Sequence, residues 1–146
     1  MRIRIRKVAE PEEMDDDVRE LIEDLDSLAL SSPYRSHNTY WWIAYDGKVI
    51  AGYAGLEIYQ EREVAFLCRC GVIASHRGNG IQRRLIRVRE RQARIEGMKR
   101  CVTYTSPCNY PSANNLIRCG YRLYKPEYPY GVANALYFQK HLQGVS

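Results

Sequence analysis

An arginine and two glycines lie in the middle of the chain with the spacing of an anion-binding loop. Arg77, Gly78 and Gly80 belong to the stretch ASHRGNGIQRRLI at residues 74–86. Glycine lacks a Cβ atom, so the backbone can approach a phosphate closely, and the helical spacing after Gly80 places free amides and the positive end of a helix dipole at the loop. The stretch is compatible with a phosphate cradle, an ordinary tight turn or the start of a basic nucleic-acid-binding helix.

Two other phosphate-binding motifs are excluded. A P-loop requires Lys followed by Ser or Thr after its glycines, and a dinucleotide fingerprint requires a third glycine and an acidic residue about 20 positions further on. Neither pattern follows Gly80.

The hydrophobic period predicts the elements that would position this loop. Apolar residues at every second position predict strands, and apolar residues at three- and four-residue steps predict helices. The predicted strands cover residues 2–8, 39–47, 48–60, 63–73, 100–106, 121–124 and 134–141, and the predicted helices begin at Pro11, Gly80 and Pro111. The loop would thus join the strand 63–73 to the helix 80–96, and the following strand 100–106 would pair with 63–73 in parallel.

Three local features add detail to the predicted strands and helices. Asp46-Gly47 predicts a tight hairpin turn, since both residue types accept a positive φ. Pro11 is expected at the first position of a helix whose first turn is rich in acidic residues. Trp41 and Trp42 are neighbours in a strand and would face opposite sides of the sheet, so only one is expected in the core.

The helix 80–96 carries many arginines on the face opposite its apolar residues. Glu90 and Glu96 are interspersed among them, a pattern typical of a solvated face with ion pairs. Nucleic acid is therefore not the expected partner, although a basic nucleic-acid-binding module stays open as an alternative.

Length and composition indicate an ordinary soluble protein. With 146 residues, 45% of them hydrophobic, we expect a single domain over residues 1–146 with no membrane-spanning helix. The start MRIRIRKVAE lacks the apolar block of a secretory signal, so a cytoplasmic location is expected. The five cysteines are expected to be reduced thiols, and Cys68 and Cys70 lack the spacing of a zinc site, so no metal is predicted.

Two segments resemble signatures of the GNAT superfamily of acetyl-CoA-dependent N-acetyltransferases. VIASHRGNGIQRRL, residues 72–85, is similar to the family's cofactor loop, Gln/Arg-x-x-Gly-x-Gly/Ala, except that Gln82 stands where the family has Gly or Ala. NYPSANNLIRCGY, residues 109–121, is similar to the second signature, in which Asn precedes a short helix ending in Gly-Phe; here the ending is Gly120-Tyr121. The order of elements resembles the family along nearly the whole chain.

The resemblance implies the fold class and the cofactor site. The fold would be α/β (α+β), a mixed, mostly antiparallel sheet of about seven strands flanked by helices, with a parallel strand pair around the cofactor loop. Acetyl-CoA would be the co-substrate, with its pyrophosphate on the amides of residues 78–82 and its pantetheine arm along residues 70–74, while Arg83 or Arg84 would reach the remaining phosphate. The implied cofactor-binding residues are Val72, Ile73, Ala74, Arg77, Gly78, Asn79, Gly80, Ile81, Gln82, Asn109 and Ser112.

The family's chemistry implies direct attack of a primary amine on the thioester, with a backbone amide near residues 70–72 as the oxyanion donor. The tyrosine that usually protonates the departing thiolate is replaced by Leu116. The acid could then be water, Tyr110 or Tyr124, or the chain could be an inactive GNAT-like acyl-CoA-binding protein. No base is identified; Glu57 and Glu63 are candidates. The acceptor would be a small-molecule or peptide amine, no membrane is involved, and a homodimer through the C-terminal strands is compatible with the fold.

Overall fold

The computed structural model describes residues 1–29 and 39–142. The first predicted helix is expected to end near residues 31–33 and to be followed by a polar loop, and this part of the chain lies outside the described residues. Seven strands are described: β1 (Ile3–Ala9), β2 (Thr39–Asp46), β3 (Val49–Tyr59), β4 (Val64–Val72), β5 (Arg100–Thr105), β6 (Arg122–Leu123) and β7 (Leu136–His141). Three α-helices accompany them, α1 (Asp16–Ala29), α2 (Ile81–Ile95) and α3 (Tyr110–Arg118), with short 3-10 helices at Gln60–Arg62 and Ala74–His76.

The strands form one sheet in the order β1-β2-β3-β4-β5-β7-β6. The pairs β1–β2, β2–β3, β5–β7 and β6–β7 are antiparallel. β4 and β5 are parallel, with Val64 opposite Arg100 and Phe66 opposite Val102. The predicted fold class and its parallel pair, joined by the α2 crossover, are confirmed.

Two predicted boundaries are wrong. Pro11 does not begin α1: it lies in a turn closed by the hydrogen bond from Glu13 N to Glu10 O at 3.0 Å, and the helix begins at Asp16. The hairpin turn is Gly47-Lys48 instead of Asp46-Gly47, because Asp46 still pairs with Val49. Gly47 adopts the positive φ, at 61°.

The contacts of the chain define two compact units. Unit 1 comprises residues 1–57 and 67–89, and unit 2 comprises residues 58–66 and everything from Glu90 onward. The interpretation of residues 1–146 as one domain stays a prediction.

The core of unit 1 lies between α1 and the sheet. Ile22 and Leu25 of α1 pack against Trp41, Ile43 and Tyr53, and several partly buried apolar side chains, Ile73 among them, pack against this cluster. Both tryptophans are buried, Trp41 at 2% and Trp42 at 5% exposure, so the expectation that only one belongs to the core is wrong. A strand buried on both faces shows no apolar-polar alternation, which is why the pattern misled.

A network of polar side chains is also buried in unit 1. Asp26 of α1 accepts hydrogen bonds from the Tyr53 hydroxyl at 2.7 Å and from Arg69 Nη2 at 2.8 Å. Burial, followed by the hydrogen bond to Asp26, raises the pKa of Tyr53 well above its ordinary value. This network ties α1 to β3 and β4.

A cluster of aromatic rings lies on one side of the unit 2 strands. Tyr104, Tyr130 and Tyr137 pack edge to face or tilted, with ring centroids 4.8 to 6.2 Å apart, and Phe66 stacks on Tyr104. Gly131 lies flat on the Tyr104 ring, where a Cβ atom would come within 2.7 Å of it. The segment between β6 and β7 is therefore held against the sheet by aromatic packing.

Some features concern the described residues as a set. All five cysteines have free thiols. Residues 1–29 and 39–142 contain no group of three His, Cys, Asp or Glu side chains arranged to hold a metal ion. Within the same ranges, no helix is long and apolar enough to cross a membrane.

Candidate functional site

The glycine loop joins the end of β4 to α2. After β4 ends at Val72, Ala74–His76 form a 3-10 turn, and α2 begins at Ile81. Gly78 and Gly80 both adopt positive φ, at 79° and 76°, a region that costs little only for glycine. These two glycines let the chain turn from the 3-10 segment into α2.

The space above the loop is open. A Cβ atom at Gly78 would meet nothing within 4 Å, and one at Gly80 would meet only Arg83 Nη2, at 3.6 Å. A ligand can therefore reach the backbone of this loop directly. This fits a diphosphate, whose oxygens must come within hydrogen-bond distance of main-chain amides.

The amides at the start of α2 provide the complementary charge. The bond from Arg84 N to Gly80 O, at 3.1 Å, closes the first turn, so the amides of Ile81, Gln82 and Arg83 precede the helical hydrogen-bond ladder. Together with the helix dipole they favour an anion at this end. Gln82 keeps its amide, so its departure from the family's Gly or Ala does not remove a backbone donor.

The loop is held in shape by its own side chains. Asn79 Nδ2 donates to the carbonyls of His76 at 3.0 Å and Arg77 at 3.2 Å. Arg77 Nε donates to Val72 O at 3.1 Å. Within the part of the chain that the structure describes, the other guanidinium nitrogens of Arg77 make no hydrogen bond or ion pair, so they can meet an anionic ligand.

The start of the loop is fixed to the sheet. Ile73 N donates to Ala51 O at 2.8 Å, and a Cβ atom at Gly52 would lie 2.9 Å from Gly71 O, so β3 and β4 approach closely here. Val72, Ile73 and Ala74 are thus placed by β3.

The imidazole of His76 connects the loop to the β2–β3 hairpin. Its Nε2 lies 3.0 Å from Asp46 Oδ2, and its Nδ1 lies 2.8 Å from Ser75 Oγ. Sequence reasoning assigned no role to His76, since a histidine beside an arginine in a loop carries no distinctive pattern.

The second group of predicted ligands lies in unit 2, whereas the glycine loop lies in unit 1. The Asn109 side chain caps α3 by accepting from Ser112 N at 3.3 Å, and a proline follows at the start of the helix. Asn109 Nδ2 has no partner among the described residues, which leaves a donor for a ligand. Ser112 is half-buried.

The candidate acids and bases differ in their surroundings. Leu116 is 4% exposed and Tyr110 is 65% exposed. The Tyr124 hydroxyl lies 2.7 Å from that of Tyr130, and burial, followed by this hydrogen bond, raises the pKa of Tyr130 above its ordinary value. Glu63 is paired with Lys99 at 3.3 Å on an exposed surface, which does not suit a general base.

Two charged residues of the arginine-rich helix α2 are buried, in contrast to the predicted solvated face. Glu90 is 3% exposed and pairs with Lys140 of β7 at 3.1 Å, so it does not neutralise the exposed arginines of α2. Arg89 is 2% exposed and donates to the carbonyls of Leu85, Gly55 and Cys68 at 3.0 to 3.2 Å. The interpretation of Glu90 as part of a solvated face is wrong. Its position four residues after the buried Ile86 was the available signal.

A family model identifies the family of this chain, and solved structures share its fold. The model of the Acetyltransferase (GNAT) family matches residues 4–121. No curated protein matches the sequence.

Solved structures align along nearly the whole chain at low identity. IAA acetyltransferase from Bacillus cereus is 17% identical, with 97% of this chain and 100% of that chain covered and a TM-score of 0.76. Ribosomal-protein-S18-alanine N-acetyltransferase from Escherichia coli is 11% identical, with 99% and 97% covered and a TM-score of 0.76. A Bacillus subtilis acetyltransferase in complex with CoA is 18% identical, with 97% and 100% covered and a TM-score of 0.74.

Proposed function

Because this chain belongs to the GNAT family of acetyltransferases and is an acyltransferase, we propose that it transfers an acetyl group from acetyl-CoA to a primary amine. The amine attacks the thioester directly, without an acyl-enzyme intermediate. The observation that carries this proposal is the open loop at Gly78 and Gly80, whose positive φ values lead the chain into the first turn of α2, where the amides precede the helical hydrogen-bond ladder.

The geometry of each segment supports the acetyl-CoA-binding residues that the family resemblance implies. The amides of residues 78–82 bind the diphosphate, supported by the free guanidinium nitrogens of Arg77. The backbone of residues 70–74 pairs with the amides of the pantetheine arm, as an added strand would. Asn109 Nδ2 donates to the co-substrate while its Oδ1 caps α3, and Ser112 lies in that first turn.

The chain must also stabilise charge and supply a proton. A backbone amide among residues 70–72 donates to the thioester oxygen as negative charge builds on it. Leu116 has no proton to give, so the thiolate is protonated by water or by Tyr110 or Tyr124. Tyr110 is the more accessible of the two tyrosines.

The acceptor is proposed as a small-molecule or peptide amine. The Escherichia coli neighbour is named for acetylating an alanine of a ribosomal protein, and this supports a peptide amine as one class of acceptor. A homodimer through the C-terminal strands stays a prediction; β6 lies at one end of the sheet order, with Leu123 60% exposed.

Binding and turnover can be tested separately with one pair of glycine variants. Gly78→Ala and Gly97→Ala introduce the same strain, because both glycines have φ of 79° and open space at Cβ, but Gly97 follows α2 at its far end. Calorimetric titration should show acetyl-CoA binding to the wild type and Gly97→Ala, and binding at least about tenfold weaker to Gly78→Ala, since the strained turn misplaces the amides.

Thiol release with a panel of amines then measures transfer. Turnover with any primary amine supports the proposal, and the absence of acetyl-CoA binding to the wild type would contradict it. Binding without turnover across small amines, polyamines and peptides would favour the second candidate, an inactive acyl-CoA-binding protein, which the buried Leu116 supports.

A further inference from the structure

His76 makes hydrogen bonds from four of its atoms at the base of the glycine loop. Its main-chain N donates to Ile73 O at 2.8 Å, and its carbonyl accepts from Asn79 Nδ2 at 3.0 Å. Its ring nitrogens contact Asp46 and Ser75. The side chain is 12% exposed, so the ring is held in a defined position and does not extend into solvent.

The chemistry of the partners fixes the direction of the main contact. A carboxylate only accepts hydrogen bonds, so Nε2 of His76 carries the proton that bonds Asp46 Oδ2. Hydrogen bonds with one ionised partner are shorter and about twice as strong as neutral ones. This contact is therefore stronger than the bonds that Asn79 makes within the loop, and it is charge-assisted, as is the bond from Arg77 to Val72 O.

Asp46 is a rigid anchor for this contact. It is the last residue of β2 and is paired on both sides, with Ile3 of β1 and with Val49 of β3. The tight Gly47-Lys48 turn follows immediately, so the backbone of Asp46 has little freedom. The Asp46–His76 contact transmits this rigidity across 30 positions of sequence to the loop.

We propose that His76 is a positioning residue for acetyl-CoA, which holds the amides of residues 78–82 in their binding arrangement through its hydrogen bond to Asp46. This rests on the proposed function. His76 does not touch the co-substrate; it acts through its carbonyl, which receives Asn79, and through the backbone that leads directly into Arg77 and Gly78. Asp46 is the second member of the pair.

The pair predicts a specific pattern of affinities. His76→Leu and Asp46→Ala should each weaken acetyl-CoA binding about tenfold, the loss of one charge-assisted hydrogen bond. The double variant His76→Leu/Asp46→Ala should be no weaker than either single variant, because both changes remove the same contact. His76→Gln should stay within about threefold of the wild type, since its amide nitrogen can replace Nε2 as the donor.

Calorimetric titration of acetyl-CoA measures these affinities, and hydrogen exchange in the free protein provides a readout that needs no ligand. The hydrogen-bonded amides of Arg77 and Arg84, at the two ends of the loop, should exchange faster in His76→Leu and Asp46→Ala, but not in His76→Gln, while those of β5 stay protected in all variants.

Several outcomes would overturn the inference. Additive losses in the double variant, a His76→Gln variant as weak as His76→Leu, or unchanged affinity and exchange in both single variants would each show that the pair does not position the loop. A wild type that does not bind acetyl-CoA would refute the proposed function and this inference together, whereas normal wild-type binding with unaffected variants refutes the inference alone.

Discussion

Asp26 carries a carboxylate that is buried in the folded protein and surrounded by hydrogen-bond donors. Arg69 bonds both of its oxygens, and Tyr53 donates to Oδ1 at 2.7 Å. The side chain of Asp26 is 4% exposed and that of Arg69 15%. Losing one partner of such a pair is costly, because the remaining charge stays buried without compensation. The pattern of α1 alone gives no sign of this network, since its partners lie 27 and 43 positions away.

The raised pKa of Tyr53 predicts a dependence of stability on pH. The unfolded chain releases the tyrosine proton above a pH of about 10, whereas the folded chain retains it. The contribution of Tyr53 is thus complete below pH 10 and is lost as the pH rises further, by up to about 1.4 kcal/mol per pH unit. Tyr53→Phe should lower the free energy of unfolding by about 1 kcal/mol at neutral pH, and the stability of this variant should fall less steeply at alkaline pH.

Urea unfolding between neutral and strongly alkaline pH measures both effects. Tyr128→Phe is the matched control, because Tyr128 is 69% exposed. An equally steep alkaline decline in Tyr53→Phe and the wild type would contradict the assignment; Tyr130, whose pKa is also raised, contributes to the decline in both proteins.

The sequence predicted the loop at residue scale better than it predicted the buried polar groups. Gly78 and Gly80 could be identified because a positive φ restricts the residue type to glycine. The helical spacing of Arg89 and Glu90 from the buried stripe was a signal, but it does not settle their burial, because long polar side chains beside such a stripe look the same whether they extend into solvent or fold onto a neighbouring strand.

At the scale of elements, Glu90 of α2, Lys140 of β7 and the end of α3 meet in unit 2. Lys140 Nζ contacts the Glu90 carboxylate and donates to Cys119 O at 2.7 Å. One cation thus pairs with a buried anion and donates to a carbonyl at a helix end, although Glu90 Oε2 has no hydrogen-bond partner among the described residues.

Removing this cation should destabilise the protein strongly. Lys140→Met leaves the Glu90 carboxylate buried and unpaired, with an expected loss of roughly 3–5 kcal/mol in the free energy of unfolding. The double variant Glu90→Gln/Lys140→Met should recover a large part of this lost free energy of unfolding, because neither side chain is then a buried charge. Lys99→Met serves as the control; its exposed pair with Glu63 is worth about 0–1 kcal/mol. Chemical denaturation measures all four proteins, and a double variant no more stable than Lys140→Met would refute the explanation.

The start of α3 allows the cap and the proposed ligand contact to be separated. Asn109→Asp keeps the oxygen that accepts from Ser112 N, so stability should change little, but it replaces the free Nδ2 donor with an acceptor. Asn109→Ala loses both the capping oxygen and the Nδ2 donor and should cost about 1 kcal/mol of stability. The affinity for acetyl-CoA, measured by titration calorimetry, should fall in both variants. An Asn109→Asp variant that binds as tightly as the wild type would show that Asn109 acts only as a cap.

Element type was predictable from the sequence, and element boundaries were less so. The strong periodicity of α2 and β4 fixed their type and approximate limits. Acidic residues and a proline marked the region before α1, but they did not distinguish a helix start at Pro11 from the turn that precedes Asp16, because both satisfy the same local preferences.

For the whole molecule, the succession of predicted strands and helices along the chain was enough to predict the fold class. The resemblance to the GNAT family is confirmed over residues 4–121. The acceptor could not be predicted, because it depends on side chains brought together from distant parts of the sequence. The exposed arginines of α2 give the chain part of its net charge of +5, which acts on encounter with anionic ligands and not on fold.

Binding of acetyl-CoA should stabilise the entire native state. At a free concentration of 100 times the dissociation constant, a ligand specific for the folded protein adds about 2.7 kcal/mol. For a chain of this size the melting temperature should rise by roughly 5–10 °C. Scanning calorimetry measures the shift, and pantetheine, which lacks the diphosphate, should produce almost none at the same concentration. Equal shifts with both compounds would argue against the glycine loop as the main anchor.

Both tryptophans are buried in unit 1, and the packed ring cluster of unit 2 contains only tyrosine and phenylalanine. Tryptophan emission therefore reports on unit 1. Trp41 belongs to the cluster packed between α1 and the sheet, against which Ile73 at the base of the loop also packs, whereas Trp42 stacks on Tyr40. Near-ultraviolet tyrosine dichroism has contributions from both units, because Tyr53 packs beside Trp41 in unit 1 and the aromatic cluster lies in unit 2. The packing of unit 1 can thus be followed by its emission in the unlabelled protein.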